Sequence, residues 1–475
     1  MATLLKMRAS SLAADFLRNP FRPDYLVVAA MLLVAAVLGF ITPAFVGLTD
    51  GQVSKMVALP AAMVFALMLL YDRRLILMVI ILFRSGADNV LELTRLSIGS
   101  YPLGIGGLIN GCVILTAMLL VSEKPKQTPA SAFGAWGPFL GVMLLGVLIS
   151  PVKGDAIRLF LGITSHFAMF IAGFHCVRDK QEFRRCIKLI AWSAVVPVLY
   201  SAVDFALNHN APDFRLRSTF AHPNVLAFYT TVIIGLTFYL FKTLPKDASL
   251  GEKACLMLYL VVLLGVLALT KTRSAWGATA ISFGVYAVLF ERRYLLYMFF
   301  LGGVALMIPG VLDRLTDLEQ GNTVTTYANL NSFAWRVYLW QTALDWMRPA
   351  SYLFGNGFQS FKEYSIVFFP LAGRTNFGAH SVYVEILFEL GIVGLLAFCW
   401  MYFKVLKALA GLVKVDALAA FSLIVVVVNY LICCFSDNML DYLSYAWYLW
   451  FAVGAGCALA RIGTQAGDAG PRGRK

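Results

Sequence analysis

Apolar residues in this chain come in unbroken runs, most of them close to the ~20 residues that an α-helix needs to cross a bilayer. Bounded by charge and by Gly/Pro punctuation, the runs predict spans near 24–42, 56–71, 75–84, 103–121, 136–150, 157–174, 187–206, 223–241, 254–270, 276–290, 294–309, 382–403, 417–435 and 443–460. The run at 75–84 is short for a crossing, which leaves about 12–14 spans. The fold class expected is therefore all-α, a polytopic transmembrane helical bundle. No long polar stretch is present to form a separate soluble domain, so residues 1–475 are read as one integral membrane domain.

One connection differs from the rest. About seventy residues, 310–381, separate two spans, and a loop of that length is usually functional or disordered. Its pattern predicts order. From Asn331 to Met347, Trp335, Leu339, Ala343 and Trp346 recur at helical spacing, an amphipathic helix for which Asn331 or Ser332 would be the N-cap. A Gly-Asn-Gly turn (Gly355 to Gly357) and an aromatic stretch (Ile366 to Pro370) follow, and the whole is expected to form a lid or rim over a membrane cavity.

Composition agrees: 60% hydrophobic and 14% charged residues, with a mean hydropathy of +0.76, exceed what a water-soluble core of this length could hide. The formal net charge of +13 would point to nucleic acid in a soluble protein; here it reads as loop charge that holds topology, so nucleic acid is not an expected partner. With the N-terminus in the cytoplasm, most of the 39 Lys and Arg residues fall on one side: the N-terminal segment, Arg73/Arg74, Lys124/Lys126, Arg178 to Lys188, Lys242 to Lys253, Arg292/Arg293, Lys404 to Lys414 and the C-terminal tail. Both termini are then cytoplasmic. Lys6, Arg8, Arg18 and Arg22 precede the first apolar run without a small-residue cleavage site, which reads as a retained first helix. The eight cysteines show neither metal-ligand spacing nor a disulfide pattern and read as small core residues.

The basic residues on the opposite, non-cytoplasmic side carry the chemistry. Arginine at membrane depth is costly to desolvate, so it serves either as a snorkelling helix-end anchor or as a partner for an anion in a polar cavity. Arg215, Arg217, Lys271, Arg273, Arg336 and Arg374 all fall on that side. Arg217 and His222 stand before Pro223, a residue suited to opening a helix whose N-terminus welcomes an anion. Arg273 sits between two apolar runs beside Lys271, Thr272 and Ser274, and guanidinium with hydroxyl suits a phosphate oxygen. Arg336 projects from the loop helix. His380 opens the span at 382, with Tyr383, Glu385 and Glu389 in its first turns. Imidazole accepts a proton near neutral pH, so His380 is a candidate base, and either glutamate could orient it or neutralise an arginine.

The ordered segments RSTFAHPN, LTKTRSAWG, NSFAWRVYLW, FGNGFQSF and AHSVYVEILFELGIVGLL, together with the long loop, resemble the O-antigen ligase and O-antigen polymerase superfamily over roughly 215–396. The resemblance implies a GT-C-like membrane glycosyltransferase of the bacterial inner membrane. It would work at the periplasmic face, without a metal or other cofactor, on glycans linked to undecaprenyl diphosphate. Arg217, Arg273 and Arg336 would hold the donor diphosphate and stabilise it as a leaving group, and His380 would activate or position the acceptor hydroxyl for an inverting attack. His222 departs from a position where the family more often has an amide, and Arg215 and Arg374 match no motif position.

The expected catalytic set is thus His380, Arg273 and Arg217, with Arg336, Arg215, Arg374, Lys271, His222, Tyr383 and Glu385 around the substrates. Partners are the lipid-linked donor, a glycan or lipid acceptor, membrane lipids and other polysaccharide-assembly proteins. Two reactions share this machinery, ligation of a finished glycan and polymerisation of repeat units, and the large loop with its extra basic residues favours polymerisation. A transporter or flippase for an anionic envelope substrate is the competing class, although the chain lacks the paired internal repeats common in transporters.

Overall fold

The structure, a computed structural model, describes residues 72–89, 95–98, 101–211, 214–307 and 332–468. The spans expected at 24–42 and 56–71 lie outside those residues. Two compact units make up the chain, Met1–Ile76 with Thr94–Leu108, and Leu77–Leu93 with Ile109–Lys475. In the first, strands β1 (Arg95–Ile98) and β2 (Tyr101–Gly104) pair antiparallel, Arg95 opposite Gly104. The run read as a span from 103 becomes helical only at Ile105, because Pro102 and Gly104 belong to this hairpin.

Otherwise the regular elements among the described residues are helices. The helices are α1 (Arg73–Arg84), α2 (Ile105–Glu123), α3 (Ala130–Ile149), α4 (Lys153–Cys176), α5 (Lys180–Ser193), α6 (Val195–Asn208), α7 (Pro223–Lys242), α8 (Leu250–Leu269), α9 (Arg273–Leu289), α10 (Arg293–Leu306), α11 (Ser332–Trp346), α12 (Ser351–Phe354), α13 (Ser360–Phe368), α14 (Val382–Ala410), α15 (Ala417–Cys433) and α16 (Leu443–Asp468). Among the described residues seven segments are long and apolar enough to cross a membrane: α3, α4, Lys180–Asn208, α7, α8, Val382–Lys414 and Leu443–Gln465. The multi-span all-α bundle is therefore present. The span expected at 187–206 is the second part of a 29-residue segment in which α5 runs into α6 at Ala194.

Burial sorts these helices. α16 is 94% buried along its apolar window and α7 83%, whereas α8 is 22% buried, so α16 and α7 are central and α8 is peripheral. The centre is held by close backbone approach. A Cβ on Gly173 of α4 would lie 2.1 Å from the Phe451 carbonyl oxygen, and one on Gly454 of α16 would lie 2.0 Å from that of Phe170. Glycine at both places lets the two backbones touch, the small-residue packing favoured where lipid offers no hydrophobic drive. Trp136 and Trp450 fill the adjoining space at 4.4 Å between ring centroids.

Helix boundaries follow local chemistry. Pro223 occupies the first turn of α7 behind His222 as N-cap, Ser249 and Glu252 form a capping box on α8, and Asp179 and Asp416 cap α5 and α15. At the end where α5 and α15 begin, Lys180 pairs with Asp416 at 2.8 Å and Arg184 donates to the Thr243 carbonyl at 2.5 Å. The described parts of the three connections that carry the sequence motifs, 209–222, 270–272 and 310–381, gather at the other end, called here the site end. There Leu216 N–H donates to Leu269 O at 3.0 Å and Val382 N–H to Cys434 O at 2.8 Å.

α14 is bent nine residues into its length, where Gly391 takes φ +68°. The bend releases the carbonyls of Phe388 and Glu389, and the Gly-Asn-Gly turn supplies their donors: Asn356 N–H to Phe388 O and Gly357 N–H to Glu389 O, both at 3.0 Å. Phe358 N–H reaches Gly146 O of α3 at 3.0 Å. Buried Glu389 accepts from Phe361 N–H at 3.1 Å and so caps the start of α13. Above this turn, Leu339, Ala343, Phe361, Phe368, Phe369 and Phe388 build a small core that fixes the loop helices. α11 matches the helix expected from 331 to 347 almost residue for residue, with Leu339 and Ala343 inward.

Candidate active site

The site end is assembled around a hydrogen-bonded chain that joins loops distant in sequence. Arg215 donates from Nε to Thr270 O at 2.9 Å and from Nη2 to Asn224 Oδ1 at 2.6 Å and Thr272 Oγ1 at 3.0 Å. The Asn224 amide in turn donates to Asp437 Oδ2 at 2.5 Å. Asp437, 4% exposed, also accepts from the Tyr442 hydroxyl at 2.7 Å and from Asn438 N–H at 3.0 Å. Burial and then the neighbouring Asp437 carboxylate push the Tyr442 hydroxyl well above its usual range, which keeps it a donor.

The loop helix closes this chain from above. Arg336 of α11 donates to Ser436 O at 2.7 Å, next to Asp437. One turn earlier on the same helix, Ser332 Oγ accepts from Arg273 Nη2 at 2.9 Å. Residues four apart share a helix face, so the hydroxyl that Arg273 reaches lies on the same face of α11 as Arg336. Trp340 Nε1 donates to Ala379 O at 2.6 Å and Trp335 stands edge-on to His380 at 6.1 Å between centroids, which pins the strand-like approach to His380. His380 feels Arg336, Asp437 and His222 electrostatically. Burial first, and Arg336 second, hold its imidazole below the usual range, against an upward pull from Asp437. A neutral imidazole in that setting is a proton acceptor.

Not every expected residue joins the group. Arg215, His222, Arg273, Arg336 and His380 come together around Asp437 and Ser332. The side chains of Arg217 and Arg374 are exposed. The Arg217 backbone is nonetheless fixed: buried Asp204 of α6 accepts from Arg217 N–H at 3.1 Å and Ser218 N–H at 2.8 Å. Lys271 is half-buried in the turn between α8 and α9. Tyr383 turns away and donates to Leu431 O at 2.7 Å. Glu385 is 7% exposed, in the electrostatic neighbourhood of Glu389, Asp441 and Lys362.

Backbone strain marks the same loops. Among the described residues the non-glycine positions with positive φ are Ser218 (52°), Lys271 (52°), Gln359 (64°) and His380 (49°). Each falls in one of the motif segments quoted above, and a left-handed non-glycine residue costs about 1–3 kcal/mol, a price typically met where function demands the geometry.

Asn224, Asp437, Tyr442 and Asp204 were not singled out by sequence reasoning. Asn224 stood inside a motif, but only the fold reveals its two partners. Asp437 lies in the short polar break FSDNMLDYL between two apolar runs, and an acid on the arginine-bearing side was the one signal that could have drawn attention to it.

One protein-family profile, described as O-Antigen ligase, matches residues 258–399. Arg273, Arg336 and His380 lie within the match; Arg215, His222 and Asp437 lie outside it. No curated protein matches the chain.

Proposed function

We propose that the protein is a membrane glycosyltransferase that moves a glycan from a lipid diphosphate to an acceptor hydroxyl, as the family match over part of the chain favours. The carrying observation is the gathering of Arg215, Arg273, Arg336 and His380 about Asp437 and Ser332 at one end of the bundle. Three guanidinium groups and the Asp437 carboxylate stand together at this end of the bundle. Fixed arginines are suited to hold paired phosphates and to take up the charge that grows on a departing diphosphate, a role that elsewhere falls to a divalent cation.

In the reaction, the acceptor oxygen forms a bond to the anomeric carbon as the bond from that carbon to the diphosphate oxygen breaks. The diphosphate leaves with the electron pair, and the hydroxyl proton passes to neutral His380. One displacement inverts the anomeric centre. The donor is already activated, so orientation, positive charge and one base suffice.

The full reading is an inner-membrane enzyme with both termini cytoplasmic and the site at the periplasmic face. Undecaprenyl-diphosphate glycan is the donor and no metal is required. Polymerisation of repeat units is preferred to ligation, because the loop helices and the additional basic residues Arg217, Lys271 and Arg374 offer room and charge for two lipid-linked substrates. The test is reconstitution in vesicles with a labelled lipid-diphosphate glycan. A product ladder supports polymerase and a single shift of an acceptor supports ligase. Translocation of intact donor, unaltered by His380→Ala, would replace the enzyme with a flippase.

A further inference from the structure

We infer that the loop between α11 and α14 re-enters the bilayer from the site end, and that Leu353 and Phe354 of α12 face the hydrocarbon of the leaflet on that side. The inference rests on depth, surface and backbone satisfaction, and is independent of the reaction assigned above.

Depth comes from the partners. The turn at 355–357 bonds to Phe388 O and Glu389 O, and a Cβ on Gly391 would lie 2.3 Å from Leu353 O. These positions are six to nine residues into a span that begins at Val382, or roughly 9–14 Å at the helical rise. On the other flank Phe358 bonds to Gly146 O, within the span Ala130–Ile149 rather than beyond it. The loop is therefore level with residues that are themselves inside the apolar layer.

The surface continues that layer. Leu145, Leu148 and Ile149 of α3 are 62%, 64% and 57% exposed, and Ile392 and Leu396 of α14 are 45% and 64% exposed. Leu353 at 49% and Phe354 at 62% extend this belt. Two large apolar side chains presented side by side to water would be costly, whereas beside α3 and α14 they meet the solvent those helices already use.

The backbone N–H groups of the turn are largely satisfied by protein. Irregular chain survives at membrane depth only when its polar groups are satisfied by protein. The N–H groups of Gly355, Asn356, Gly357, Phe358, Ser360 and Phe361 donate in turn to Ser351 O, Phe388 O, Glu389 O, Gly146 O, Gly357 O and the Glu389 carboxylate. A loop bathed in water has no need of so complete a set.

The test places a nitroxide at Phe354→Cys in the full-length protein, in phospholipid vesicles and in a background lacking the exposed Cys255 and Cys399. Leu353→Cys is the second probe, Leu145→Cys the lipid-facing reference and Thr375→Cys the aqueous one. Relaxation by oxygen with exclusion of a water-soluble nickel chelate, at levels matching Leu145→Cys, is expected. Access to nickel at the level of Thr375→Cys overturns the inference, as does protection from both reagents, which would mean that protein covers the patch. Because no turnover is measured, the outcome is separate from that of the glycosyltransferase assay.

Discussion

Asn224 donates its amide to Asp437 across 213 residues of sequence, and through its carbonyl oxygen it also receives Arg215. A neutral side chain thus links a cation to an anion by one bond to each. Asn224→Ala should weaken donor-lipid binding because Arg215 loses an orienting partner. If Asp437 acts through the same chain, the double variant Asn224→Ala/Asp437→Ala should show a coupling of about 0.5–3 kcal/mol rather than summed losses. Titration of each variant with the lipid-diphosphate donor measures it.

His380→Ala should lower transfer by about 10²–10⁴-fold, the usual range for loss of a general base, while donor binding is retained. A single-turnover assay beside a binding assay separates the two effects.

The pH dependence follows from the charges around His380. The neutral form is the active one, and burial with Arg336 depresses its proton affinity, so activity lost as pH falls should fail only below the ordinary imidazole value of 6.5. Arg336→Gln removes a positive neighbour and should move that acid limb upward, towards 6.5, in addition to reducing the rate. A limb that stays in place in Arg336→Gln would show that another group governs it. Profiles of kcat/KM for both proteins make the comparison.

Asp204→Ala removes the acceptor for two backbone N–H groups, on exposed Arg217 and on buried, left-handed Ser218. Unsatisfied donors cost about 1–3 kcal/mol each, so detergent-solubilised protein should melt earlier, and Asp204→Asn, which keeps one oxygen, should recover part of the loss.

Gly391→Ala would force a side chain into a φ of +68° and against the Leu353 carbonyl. Overpacking of this kind costs about 1–3 kcal/mol, and the site loops should become protease-sensitive before the bundle unfolds. Limited proteolysis across a temperature series reads this directly.

Hydropathy made the crossings legible because a bilayer imposes a length on each apolar run, and the period of Trp335, Leu339 and Ala343 disclosed α11. The arginines and His380 were legible as expensive residues near apolar runs, and they were named before any geometry was known. Asp437 was not, since a carboxylate in a short polar break looks like ordinary loop, and only the folded approach of Asn224 gives it a purpose. The Gly-Asn-Gly turn was read as part of a lid or rim, and turn chemistry says where a chain reverses but not that its N–H groups serve the Phe388 and Glu389 carbonyls. Glu389 was read as a residue that could orient His380 or neutralise an arginine; its carboxylate accepts from Phe361 N–H at the start of α13, a partner that no spacing in the sequence encodes.

The crossing of Gly173 and Gly454 has a mechanical corollary. Where carbonyl meets α-carbon with no side chain between, neither α4 nor α16 can slide or roll without collision, so this pair behaves as the stator of the molecule. If the protein is the glycosyltransferase proposed, the widening that admits a bulky headgroup falls to parts held through side chains, α11 among them.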